Sequence, residues 1–341
     1  MNPTRPTVAV VATTIVLALA ACGGSSGSKA DTGKKKPAAS TTTTTKAPPV
    51  APLTGLPDPD GAAQGRSVLS IKIDNDSSAA RPQTGIEAAD IVWDEVVEGQ
   101  GTRFLAMFQS QVPDVVGPVR SVRLTDPLIV WPVGGVFAYS GGAKYAVDAI
   151  NQAPVVRVDE SGAGDGMFRD SSRRAPHNLY AKPSILFTKG GQPVPPPALF
   201  DYAADAGATG GTASAVHIAF SNQEFAPTYT WDAASGTWKR STRAGAFAAK
   251  SGTQIAPKNV VVLPVVYGGT GLGNIGAEAQ LVGNGTVQVF TNGHVVTGTW
   301  TRPDKATPMK LVDAAGKPIT LSPGQTWVEL PDVSYPVQVT P

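Results

Sequence analysis

Cysteine is almost absent from this chain: Cys22 is the only one in 341 residues. A lone thiol closes no intramolecular disulfide and builds no zinc–thiolate centre, so the fold must stand on its core. Charge is also sparse, at 16% of residues with a formal net charge of +2, which excludes a nucleic-acid polyelectrolyte and any expectation of a nucleic-acid partner. No apolar run reaches the roughly 20 residues that a membrane-spanning helix needs. There is no P-loop, no H-E-x-x-H and no nucleic-acid-binding motif. With 37 glycines and 30 prolines instead, the composition favours turns and short strands over long helices.

The N-terminus has its own logic. Arg5 and the free amine supply a positive start, Val8 to Ala21 supply an apolar run of signal-peptide length, and Leu19-Ala20-Ala21-Cys22 ends it in small residues and the cysteine. This pattern resembles a bacterial lipoprotein signal. The resemblance implies that residues 1–21 are removed, that Cys22 is lipidated, and that the protein is tethered to the cell membrane outside the cytoplasm. A cysteine so used is no longer available as a nucleophile. Loss of Arg5, the only charged residue before Cys22, lowers the net charge to +1. Residues 22–50 are built from Gly, Ser, Thr, Lys and Pro without apolar periodicity and read as a disordered tether. As a random coil it would reach on the order of 30 Å. Lys34 to Lys36 form a charge run that solvates the tether or touches anionic head groups.

About 290 residues follow, room for two domains of ordinary size: an α/β N-terminal domain with a mixed sheet and few helices over 51–208, and a β-rich C-terminal domain over 212–341. Strands are expected at 68–74, 91–97 and 103–109, the last two as a hairpin through Glu98-Gly99-Gln100-Gly101-Thr102, and another at 136–139. A short helix should follow Ser140-Gly141-Gly142, because Ala143, Ala146, Val147 and Ile150 share one face. A second helix is expected over 197–206, between prolines and Gly207. Gly210-Gly211 marks the domain boundary, and strands follow at 217–220, 228–231, 260–266, 287–290, 295–300 and 326–330.

Charged side chains of the first domain crowd around strand ends and tight turns. Asp74 and Asp76 end one strand, Arg81 follows, Asp90 opens the next, Glu95 and Glu98 lie on or after it, and Arg103 starts its partner. Gly117-Pro118-Val119-Arg120-Ser121-Val122-Arg123 then sets two arginines three apart after a turn. Guanidinium forks grip phosphate oxygens, and carboxylates hold a hard cation such as Mg²⁺ that neutralises the remainder. Arg81, Arg103, Arg120, Arg123 and Arg169 are therefore the candidate ligand-binding residues, and Asp74 and Asp90 the candidate metal ligands. The same residues would also serve as a buried structural network around the hairpin, and composition alone leaves both readings open. A second polar cluster, Arg169 to Tyr180, carries Arg173, Arg174 and His177. His177 joins Asp90, Glu95 and Glu98 as a candidate for proton transfer, against the alternative of a structural hydrogen-bond partner.

Two formal matches are set aside. Gly271-Leu272-Gly273-Asn274-Ile275-Gly276 satisfies G-x-G-x-x-G but precedes no amphipathic helix, and Gly23 to Gly27 fits G-x-S-x-G inside the tether. Trp231, Trp238, Trp300 and Trp327 are read as β-core aromatics rather than a sugar platform.

The succession PLTGLP, KIDN, ARPQTGIEAADIVWDEVVEGQGTRFLAMFQS, GPVRSVR, FAYSGG and PHNLY resembles the YerB-like bacterial lipoproteins, and NVVVLPVVY, GNGTVQVFTNGHVVTGTW and SPGQTWVELP resemble that family's C-terminal domain. The resemblance implies two domains with no known activity. The order Ala89-Asp90-Ile91-Val92, Gly117-Pro118-Val119-Arg120-Ser121 and Phe137-Ala138-Tyr139-Ser140-Gly141-Gly142 is also distantly similar to the LytR-CpsA-Psr envelope phosphotransferases. That similarity implies Asp90 as a metal ligand and Arg120 on a pyrophosphate. Here Ala89 stands for the serine of that family's strand start, and Ser121 for the aspartate after its arginine. Two functions are thus expected: binding, with or without transfer, of a pyrophosphate-linked or other anionic cell-wall precursor, or a non-catalytic scaffold on wall polymer, peptidoglycan or an envelope protein. Exposure of Asp90 and Arg120 in a common cleft would favour the first, and burial as satisfied pairs the second.

Overall fold

The computed structural model describes residues 49–268 and 276–341. The signal segment 1–21, Cys22, the tether up to residue 48, and Gly271 to Ile275 of the glycine-rich loop lie outside them. Ala47–Pro341 forms one compact body, and among the described residues no helix is long and apolar enough to cross a membrane.

Alternation builds the central sheet. In β1 (Leu69–Asn75), Leu69, Ile71 and Ile73 face one core while Ser70, Lys72 and Asp74 face the other way. In β3 (Thr102–Phe108), Phe104, Ala106 and Phe108 join the first core, and Leu105 and Met107 join the second. β2 (Ile91–Val96) pairs antiparallel with β3, and β3 with β1. β4 (Val136–Ala138) and β5 (Val156–Val158) then extend the sheet in parallel to one edge. The expected hairpin and the strands of the first half stand where the sequence puts them, within a residue or two. The short helix is α2 (Lys144–Ile150), which follows α1 (Asp126–Val130) and buries Ala146 and Ile150.

The sheet does not stop at the second half. Thr326–Leu330 runs parallel to β2 on one side and to Asn259–Val262 on the other, and Gly283–Thr291, His294–Arg302 and Lys310–Asp313 continue beyond it. Eleven strands thus form one mixed sheet drawn from both halves. A five-stranded antiparallel sheet, Ala215–Ile218 with Thr228–Asp232, Thr237–Thr242, Gly245–Ala246 and Val337–Thr340, shares the first of the two cores. The architecture is a mixed sheet with few helices, and among the described residues those helices all lie before Lys189.

One expectation is corrected. Residues 197–206 form no helix: Leu199 and Phe200 are core residues, and Asp201–Tyr202 pairs with Thr320–Leu321 as a short strand. The long-range pairing and the burial of Leu199 and Phe200 hold this stretch extended, a choice that prolines at a helix start do not make. Gly211–Thr212 pairs with His294 and Val295 at the sheet. The tryptophans are structural, as read: Trp238, Trp300 and Trp327 are buried, and Trp231 packs at 5.2 Å on Trp238.

Candidate functional site

Three extended segments bring the polar residues of the first half together. The end of β1 carries Asp74. Residues 117–120 run alongside, with Asp74 N–H donating to the Pro118 carbonyl and Arg120 N–H to the Lys72 carbonyl, both 2.9 Å. Leu179–Ala181 lies on their far side, Val119 N–H donating to the Leu179 carbonyl at 2.7 Å, and places His177 two residues before it. Gly117 is required for this approach: a Cβ there would fall 2.7 Å from the Tyr180 ring.

Asp74 is fully buried, and its Oδ2 accepts from His177 Nδ1 at 2.7 Å and lies 3.1 Å from Arg120 Nε. Arg120 Nη2 reaches Asp76 Oδ2 at 2.6 Å, and Arg103 Nη2 approaches the same oxygen at 3.3 Å. Asp76 (22% exposed), His177 (17%) and Arg120 (16%) form the open side. One donor atom from each of Asp74, Asp76 and His177 falls within 4.8 Å of the others. Desolvation raises the Asp74 carboxyl, with Arg120 opposing it. Burial would raise Asp76 too, but the Arg120 hydrogen bond and charge outweigh it and hold Asp76 at about 2. Two carboxylates and one imidazole fit a divalent cation of the Mn²⁺, Zn²⁺ or, with water, Mg²⁺ type, and a buried carboxylate on Nδ1 orients the ring for a ligand on its other nitrogen.

The remaining candidates go elsewhere. Asp90 sits at the opposite end of β2 from this group, 2% exposed, its carboxylate accepting from the Gln109 and Ser110 N–H groups and the Ser110 hydroxyl. It is placed to terminate the strand pair, not to share an ion with Asp74 or a cleft with Arg120. Glu95 is fully buried against Lys72, which also binds Asp126 at 2.8 Å; desolvation, with Asp126 adding to it, pushes Glu95 up to about 8. It has no exposed surface with which to reach a substrate. Glu98 pairs with Arg123 and accepts from Tyr145 OH at the surface. Arg169 pairs with exposed Glu160 and donates to Asn178. Arg81 leaves the group, its guanidinium between Phe225 and Phe247.

Sequence reasoning did not assign Asp76 to the metal set, although Asp-Asn-Asp at a strand end was the available signal. It also overlooked a second buried network: Arg240 with Asp94 (2.8 Å) and Tyr229 (3.1 Å), and Tyr229 OH donating to Glu329 at 2.5 Å.

Residues 53–192 match the family model described as the protein of unknown function (DUF3048) N-terminal domain, and residues 216–328 match the DUF3048 C-terminal domain. YerB of Bacillus subtilis (strain 168), a candidate lipoprotein by its name, is 37% identical over 140 residues. That alignment spans 38% of this chain and 39% of the relative. The crystal structure of YerB from Bacillus subtilis superposes with a TM-score of 0.74 at 23% identity, over 85% of this chain and 99% of that one, which establishes a shared fold. None of these matches lends support to the similarity with the LytR-CpsA-Psr phosphotransferases.

Proposed function

Because this chain belongs to the DUF3048 family in both of its halves, we propose that it is a lipid-anchored protein of the cell envelope, tethered through Cys22, whose Asp74–Asp76–His177 group holds a divalent cation. Together with Arg120 and Arg103, that group binds a pyrophosphate-linked or other anionic cell-wall precursor. The supporting observation is the convergence of two carboxylates, an imidazole and two guanidinium groups from separate segments on one partly open spot. Its charges nearly cancel, Asp74 and Asp76 against Arg103 and Arg120, so entry of a divalent cation leaves about two positive charges for an anion to neutralise. The cation would also loosen Arg120 from the carboxylates and free its fork for phosphate oxygens. If transfer accompanies binding, His177 is the partly exposed group suited to move the proton.

A second reading, a non-catalytic scaffold on wall polymer or a protein partner, is favoured by the engagement of Arg120 with both aspartates and by the burial of Asp90 as a satisfied carboxylate away from Arg120. Calorimetric titration of residues 51–341 with geranyl pyrophosphate, with and without Mg²⁺ or Mn²⁺, separates the two. Saturable, cation-dependent binding that Arg120→Ala abolishes while circular dichroism is unchanged supports the precursor site. No heat of binding from folded protein removes it and leaves the scaffold.

A further inference from the structure

A cleft of about 460 Å³ is lined by Arg81, Thr84, Ser172, Arg173, Tyr180 and Lys250. Its charge is unbalanced. Arg81 donates through Nε to Asn75 and leaves Nη2 buried and without a hydrogen-bond partner. Its guanidinium lies 5.3 and 5.4 Å from the Phe225 and Phe247 ring centroids. Arg173 is held in place by Tyr180 OH at 2.6 Å and by the carbonyls of Ala79, Arg81 and Pro82. Lys250 is exposed at the rim, its backbone N–H fixed on the Gln83 carbonyl at 2.7 Å. Among the described residues no carboxylate forms a salt bridge with any of the three. Asp170 is the single acid of the lining; the Ser172 hydroxyl and N–H engage its Oδ1, and Arg173 and Lys250 outnumber it.

Three cations against one carboxylate leave a net charge of two. The Phe168 and Tyr180 rings of the lining lower the local polarity, and Thr84 and Tyr180 offer hydroxyls. We propose that this cleft binds the phosphoryl group of a small phosphate ester, a dianion near neutral pH. Arg81 and Arg173 form its floor and Lys250 closes the rim. The site needs no cation and does not depend on the reading of the Asp74 group.

The test is ³¹P line broadening and calorimetry of the full chain in detergent micelles with excess EDTA, using inorganic phosphate and glucose 1-phosphate as probes and glucose as the neutral control. Both phosphates should bind and glucose should not. Lys250→Ala, at an exposed position that leaves the fold intact, should weaken binding about tenfold. Lys250→Glu should abolish it, and Asp76→Asn and Arg120→Ala should leave it unchanged. No broadening with the wild type, or equal binding by Lys250→Ala and Lys250→Glu, overturns the proposal. Loss of binding in Arg120→Ala would do the same, because it would move the phosphate to the Asp74 group.

Discussion

Arg240 Nη2 lies 2.8 Å from Asp94 Oδ2, and neither side chain has any exposed surface. Arg240 comes from the C-terminal family segment and Asp94 from the N-terminal one, so the two halves are joined by a buried charge pair as well as by a shared sheet. Around it the guanidinium lies 4.3 Å from the Phe247 ring centroid and 4.9 Å from that of Trp327.

Removing the arginine leaves Asp94 and Glu329 in the core without their cation. Arg240→Ala should cost about 3–5 kcal/mol, as breakage of a buried pair does. Urea denaturation followed at both near- and far-ultraviolet wavelengths should show one transition, shifted as a whole. A loss below about 1 kcal/mol, on the scale of an exposed pair, would mean that water reaches the site.

Stability should fall as pH rises from about 4.5 to about 8. Desolvation holds Glu95 and Glu329 at about 8 against an ordinary 4.5, so the folded state keeps protons that the unfolded chain releases, and unfolding is favoured throughout that window. Asp76 acts oppositely: held at about 2 against 3.8, its contribution is present above 3.8 and is lost as pH drops towards 2. A thermal melting profile should therefore peak near pH 4–5. Glu95→Gln combined with Glu329→Gln should flatten the alkaline limb, and an unchanged slope would count against both assignments.

Arg120→Ala should raise the Asp76 carboxyl markedly from its value near 2, since burial alone pushes it upward and the guanidinium is what opposes it. Carboxyl carbon chemical shifts followed through an acid titration read this directly. No change would show that the Asp74 hydrogen bond and Arg103 sustain the depression without Arg120.

Gly117→Ala places a methyl group 2.7 Å from the Tyr180 ring and 3.0 Å from the Leu179 carbonyl. It should destabilise by about 1–3 kcal/mol, as overpacking does, and displace the segment bearing Arg120. Gly211→Ala, with nothing within 4 Å, is the control and should melt close to wild type.

Strand identity was legible wherever alternation was clean, as in Leu69, Ile71 and Ile73, and so was the crowding of Asp74, Arg103 and Arg120 at strand ends. What distances along the chain hide is partnership: His177 meets Asp74 across 103 positions, and no local pattern specifies that. The fate of Asp90 was illegible for the same reason, because the donors that hold its carboxylate, Gln109 N–H and Ser110 N–H, become neighbours only when β2 and β3 pair. One signal was present and overlooked. In Thr-Trp-Lys-Arg-Ser-Thr, Arg240 shares strand parity with buried Trp238, and a charge at an inward position implies a buried counter-ion. The false helix at 197–206 came from reading prolines as a start signal where long-range pairing holds the chain extended.

The insertion of Thr326–Leu330 between β2 and Asn259–Val262 sets the order of assembly. A chain made from its N-terminus has β1 to β3 early, but β2 keeps an open edge until more than two hundred further residues arrive. Completion of the central sheet is therefore a late, long-range event. A nascent or truncated form ending between Val262 and Thr326 carries two unsatisfied strand edges that Thr326–Leu330 fills in the finished protein, which makes such fragments natural targets for chaperones, proteases or self-association.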